Sequence, residues 1–275
     1  MVNKAYYTSP TSEDNSTRAT GAQIKRNRPG TMTEKTTATD PRVTGDHIRE
    51  LETQTGRITL IGVVHDHPAS KYRVRSYLTM NQPDLLAVEL PPLALSLFRR
   101  YADDTQTPPA YGGEMSSAIQ AAETTNVVGI DGPSCRFVYR LLRQLHEDRT
   151  SVGTTRNVLG NLFSMSKTTL RYATYGLLTS QTADSGSIEN QISYETTADD
   201  DPTVQAADEM RQIQRAQAVM NALEPPRAAH VRDVTRDEHM AARLMSLSKD
   251  AESIVAVVGH GHLDALTDRL QRERL

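Results

Sequence analysis

Four of the chain's eight histidines fall in two short stretches, LIGVVHDHP at 60–68 and VVGHGHLD at 257–264. In each stretch a glycine stands three positions ahead of a histidine, Gly62 before His65 and Gly259 before His262. A glycine there lets the backbone bend, or lets another segment approach closely, as a strand ends. Two imidazoles brought to one rim could hold a divalent metal ion or move protons near neutral pH. The same gesture recurs along the chain. Four apolar runs end in His65-Asp66-His67, Glu89, Asp131 and His260-Gly261-His262. Charged groups at the end of a buried strand cost free energy unless paired or coordinated. Their convergence on one edge is therefore the main functional signal.

The elements that must position these groups are RITLIGVVH (57–65), DLLAVEL (84–90), NVVGID (126–131) and SIVAVVGHGH (253–262). Each run is continuously apolar and rich in β-branched residues, as expected of strands covered on both faces. Helical patterns separate them. SKYRVRSYLTM stops before Asn81 and Pro83, and PPLALSLFRRYA places Leu93, Leu97 and Tyr101 on one face. EMSSAIQAAE precedes the third run and CRFVYRLLRQLHED follows it. Strand alternating with helix predicts an α/β fold, a mainly parallel sheet with flanking helices. VQAADEMRQIQRAQAVMNALEPP and TRDEHMAARLMSLSKD predict further helices, the second capped by Thr235. The chain ahead of the second, about residues 150–234, is expected to be a helical insertion before the last core strand. DHIRELE predicts a short leading helix capped by Asp46. In such a sheet ligands bind outside the carboxyl ends of the strands, where the titratable groups fall.

Composition bounds the rest. Residues 1–45 are Thr/Ser-rich with hardly a large apolar side chain, which predicts disorder and no part in the fold. Residues 46–275 then form a single domain. A net charge of −3 and an isoelectric point near 6.2 argue against nucleic acid as a partner, since phosphate neutralisation needs a clustered basic surplus. The single cysteine, Cys135, forms no disulfide framework. Neither a signal-like apolar stretch nor a run long enough to span a membrane is present, so the expected location is the cytoplasm. Arginine outnumbers lysine and aspartate outnumbers glutamate, a halophile-like bias that concerns solubility.

LIGVVHDH, PDLLAVEL, GGEMSSAIQAAE, VVGIDGP, TRDEHMAARL and IVAVVGHGHLDAL, in this order over about residues 57–268, resemble the TraB/PrgY pheromone-shutdown family. That family is related to the Tiki-type metalloproteases and the GumN-like proteins. The resemblance implies an α/β fold and metal-dependent peptidase chemistry. It also implies that His65 and His262 are the paired histidines, Glu89 the strand-two glutamate and Glu114 the acid opening a helix. Arg236 and Asp237 would be the Arg-Asp pair of the late helix.

Together these readings predict a metal-dependent hydrolase for a peptide or amide-like substrate. His65, His262 and Glu89 would hold a divalent ion (Zn, Mn or Co), a donor set that does not choose among the three. Glu89 or Glu114 would take the proton. Arg236, at a helix start where its charge opposes the dipole, would face an oxyanion. Asp66 would orient a histidine, with His67, His260, Asp131 and Asp237 in supporting places. The rival is a non-catalytic protein sequestering a peptide or small molecule in the same crevice. A thiol enzyme using Cys135 is a third reading, and a homodimer stays open as a partner.

Overall fold

The structure is a computed structural model; it describes residues 40–43, 46–132, 143, 194–222 and 227–272. Apolar residues on both sides of each strand build a sheet covered on both faces. Its strands are β1 (Ile48–Glu52), β2 (Arg57–Val63), β3 (Leu85–Val88), β4 (Val127–Gly129) and β5 (Ser253–Gly259). They lie in the order β1-β2-β5-β3-β4. β2, β5, β3 and β4 run parallel, and β1 pairs antiparallel with β2. The helices are α1 (Pro68–Met80), α2 (Leu95–Ala102), α3 (Gly113–Ala121), α4 (Pro202–Ala222), α5 (Arg227–Leu247) and α6 (His260–Arg272).

Alternation within each run decides which face a residue joins. Ile58, Leu60, Ile254, Ala256 and Val258 pack with Met240 and Leu244 of α5 and Leu263 and Leu266 of α6. Ile61, Val63, Val255, Val257 and Val88 pack with Val74 and Leu78 of α1 and Met115 of α3. The result is helix, sheet, helix in three layers, with the parallel strands' carboxyl ends at one rim.

Several expectations change. DHIRELE forms β1 and not a helix: Ile48 pairs with Ile61 and Glu52 with Arg57. A helix there would leave the outer edge of β2 without hydrogen-bond partners, and the antiparallel strand supplies them. Thr235 caps nothing. It lies inside α5, where its hydroxyl donates to the Val231 carbonyl, so Arg236 stands mid-helix and the dipole at a helix start does not act on it. β5 ends at Gly259, and His260 already opens α6. In α2 the helix begins after the two prolines; Leu93 is 61 % exposed, and Leu95 and Phe98 turn inward instead.

Arg42 and Val43, assigned by composition to a segment outside the fold, are buried, and the Arg42 carbonyl accepts from Arg73 Nε at 2.7 Å. α4 and the start of α5 fall within residues 150–234, where an insertion was expected. Residues 150–193 of it, CRFVYRLLRQLHED (with Cys135) apart from Arg143, and residues 1–39 lie outside the described residues. Among the described residues no helix is long and apolar enough to cross a membrane.

Candidate functional site

Where β2 ends, the chain turns sharply. Asp66 takes a left-handed backbone conformation (φ 60), which aspartate tolerates better than most residues. The turn aims the Asp66 N–H at Glu114 Oε2, 2.9 Å away, while Glu114 Oε1 lies 2.6 Å from His65 Nδ1. Glu114 sits on the first turn of α3, reached through Gly112 and Gly113, both at positive φ. A Cβ on Gly113 would come within 2.5 Å of Asp66 Oδ1, so only glycine admits this approach. Glu114 is buried with both oxygens engaged, whereas the His65 side chain is 57 % exposed.

The second histidine repeats the device from other elements. His262, on the first turn of α6, has Nδ1 2.6 Å from Asp237 Oδ1 of α5. A carboxylate only accepts hydrogen bonds, so in each pair Nδ1 carries the hydrogen and Nε2 is turned elsewhere. Nε2 of His262 is 3.4 Å from Glu89 Oε1. That oxygen accepts from Arg236 Nη2 at 2.6 Å, and Glu89 Oε2 accepts from the Gly259 N–H at 2.6 Å. Arg236 also reaches Asp131, Nε to Oδ1 at 3.1 Å and Nη2 to Oδ2 at 2.8 Å.

Gly259 marks where the groups converge. A Cβ there would stand 3.3 Å from Glu89 Oε2, 3.6 Å from His65 Nε2 and 3.7 Å from His262 Cδ2. The two imidazoles, far apart in the chain, are thus near neighbours around one small space. Gly62 answers a different need, since a Cβ there would press within 2.9 Å of Leu263 Cδ2. Among the described residues no three His, Cys, Asp or Glu side chains are already disposed around one ion; Glu89 is instead held by Arg236 and Gly259.

The electrostatics follow the pairing. The hydrogen bond to Glu114 raises the His65 pKa to about 9 against the opposing effect of burial. For His262, burial pulls down, but the bond to Asp237 and the charge of Glu89 outweigh it and the pKa rises. Burial would raise the Glu114 pKa, yet the bond and charge of His65 hold it below the ordinary carboxylate value. Arg236 is likewise raised despite burial, by Asp131 and Glu89.

The sequence placed His65, His262, Glu89, Asp131 and Arg236 together, and the structure brings them together. Asp66 does not orient a histidine; it pairs with Lys71 at 3.1 Å, and Glu114 and Asp237 do the orienting. Arg236 spans two carboxylates where an open oxyanion site was expected. His67 turns inward, fully buried, its Nδ1 accepting from the Ala69 N–H at 3.2 Å and its Nε2 3.3 Å from Asp208 Oδ2. His260 packs edge-on against His47. Tyr194 was missed. Its hydroxyl donates to the His65 carbonyl, its ring packs edge-on to His67, and burial pushes its pKa up to about 12. A lone aromatic in the polar stretch QISYETT was its only signal.

Comparison with protein-family models, curated proteins and solved structures finds no match to this chain.

Proposed function

We propose that this rim is the centre of a metal-dependent hydrolase of the TraB/PrgY type, acting on a peptide or amide-like substrate. One observation carries the reading: His65 Nε2, the His262 ring and Glu89 converge around Gly259 while a separate acid holds each histidine's Nδ1 at 2.6 Å. Carboxylate-held imidazoles with Nε2 turned inward are what divalent-ion sites use. The residues fit such an ion as two histidine ligands, with Glu89 the nearest carboxylate; Zn, Mn and Co all suit them. A divalent ion there would lower the pKa of a water molecule and polarise the scissile carbonyl.

The chain's own groups then divide the work. Glu114 and Asp237 keep the imidazoles in one tautomer and one orientation. Glu89, beside both rings, receives the proton from the attacking water. Arg236 holds Glu89 in place and offsets the charge of Glu89 and Asp131. This moves Glu114 from proton acceptor to positioning residue, because it faces His65 Nδ1 and the Asp66 N–H, across the ring from the Nε2 beside Gly259. α4 and α5, between β4 and β5, shape access of substrate, in a protein of the cytoplasm.

Elemental analysis and a peptide-library cleavage screen on one sample test the proposal. About one ion per chain and cleavage are expected, both lost in the His65→Ala, His262→Ala double variant. A second reading draws on the ion pairs that already occupy Glu89 and Arg236: a peptide-sequestering protein without a metal. Metal-free protein that still binds peptide and never cleaves it would favour that reading.

A further inference from the structure

α1 has two faces of unlike character. Ala69, Ser70, Arg73, Val74, Tyr77 and Leu78 are buried. The opposite stripe, Lys71, Tyr72, Arg75, Ser76, Thr79 and Met80, follows the three-and-four spacing of one helix side and floors a cavity of about 750 Å³. Pro108 and Ala110 wall one side, and residues 194 and 196–198 belong to the same lining. Asp66, of the turn that carries His65, and Tyr194, which donates to the His65 carbonyl, line it too. The cavity therefore opens beside the rim and runs away from it along the helix.

We propose that this groove receives an extended peptide to one side of the bond being broken, and that Arg75 selects an acidic side chain on it. The inference rests on the hydrolase reading for the position of that bond. At about 1.5 Å per residue, α1 from Pro68 to Met80 offers roughly 18 Å of floor. An extended chain advances about 3.3 Å per residue, so the groove takes about five residues. Arg75 stands about 10 Å along the helix from Pro68, which places the selected side chain about three residues from the rim.

Charge chooses the occupant. Lys71 is tied to Asp66 at 3.1 Å. Arg42 is tied to Asp40 at 2.7 Å and lies over the Tyr72 ring at 3.3 Å. Arg75 is half-buried, donates to the neutral Gln120 Oε1 at 2.8 Å, and forms no ion pair among the described residues. Burial alone moves its pKa, downward. A guanidinium partly out of water beside a neutral partner is matched by a carboxylate, which it can grip with two parallel hydrogen bonds. Tyr72, Met80 and Pro108 supply apolar wall for the flanking side chains.

The test uses the full chain and fluorescein-labelled hexapeptide pools, identical except for Glu, Ala or Lys at one fixed position. Binding is read by anisotropy without metal, and cleavage by mass spectrometry with Zn or Mn added. The Glu pool is expected to bind about tenfold tighter than the Ala pool, with added salt weakening the preference. Arg75→Gln should abolish the preference, and Arg75→Glu should reverse it so that the Lys pool binds best. Circular dichroism of both variants confirms that α1 is intact. Acid preference without cleavage under any metal leaves the groove standing and removes the hydrolase. Cleavage with no acid preference, or a preference unchanged in Arg75→Glu, overturns the groove and leaves the hydrolase. No binding by any pool overturns the groove as well.

Discussion

Two clusters of the same side-chain types lie on either side of the β2–α1 turn, and they are built to opposite ends. Behind the turn, Arg73 is fully buried. It donates to the Arg42 carbonyl at 2.7 Å and the Gly62 carbonyl at 2.8 Å, and it pairs with both oxygens of Glu209. Ser70 also donates to Glu209 and accepts from the Val64 N–H at 2.8 Å. His67 and Thr196 share Asp208. Nearly every valence is filled; the exception among the described residues is Nδ1 of His47. In front of the turn the arginine, acids and histidines are likewise paired, but His65 keeps Nε2 toward the space around Gly259 and has a side chain 57 % exposed.

The histidines register the difference. His65 and His262 are raised by their carboxylates, whereas burial lowers His67, His260 and His47, the last to about 4. Burial of charge is thus not the mark of a reactive site. The closed cluster ties the end of β2 to α1, α4 and residues 40–43, and apart from His47 Nδ1 its buried polar atoms are already engaged. An imidazole paired on Nδ1 with Nε2 left open, as in His65, is what distinguishes the rim.

The sharpest way to break this contrast is in the closed cluster. Arg73→Met leaves Glu209 buried without its partner and should cost about 3–5 kcal/mol in urea denaturation. The Arg73→Met, Glu209→Leu double variant should recover most of that. A loss under about 1 kcal/mol in the single variant would mean the cluster is not a staple. At the rim the larger effect should fall on ligation. Asp237→Asn releases His262 from its preferred tautomer and should weaken metal binding by about 10–100-fold by titration calorimetry. An unchanged affinity would take Asp237 out of the site.

Acidity should separate the clusters by direction. For His47 the folded value, about 4, lies below the usual unfolded value of about 6.5. Its stability contribution is complete above pH about 6.5 and is lost as pH falls toward 4. His65, at about 9 folded, does the reverse: its contribution is complete below about 6.5 and is lost as pH rises through about 9. Metal-free protein should therefore lose stability on both sides. His47→Gln should reduce the acid-side loss, and His65→Gln the alkaline one. The smallest change in folding should come from Gly259→Ala. Its Cβ would press on Glu89 Oε2 at 3.3 Å, so metal binding should weaken several-fold. The unfolding free energy should move by less than about 1 kcal/mol.

The strands were legible because a parallel sheet covered on both faces writes continuous apolar runs such as IVAVVG. The rim was legible because those runs stop at polar groups. β1 was not, since Ile48 and Leu51 are spaced as in a helix, and only the unpaired edge of β2 decides for a strand. The start of α5 was hidden because RAAHVRDV lacks the apolar stripe that follows it. Arg73 left a faint trace: it falls on the α1 stripe shared by Ala69 and Tyr77, a core position for a charged residue. Its partner Glu209, 136 positions on, left none. Pairing between distant residues has no periodicity to betray it.

β5 passes into α6 with no residue between them, so His262 rides on the junction of two packed elements. His65 stands on a left-handed turn clamped at both ends, by Ser70 at Val64 and by Asp208 at His67. The centre is a vice with both jaws anchored, and the exposed His65 ring is the part with room to turn. Ions of different radius should be accommodated by that ring and its bond to Glu114, and redesign toward a new metal belongs there.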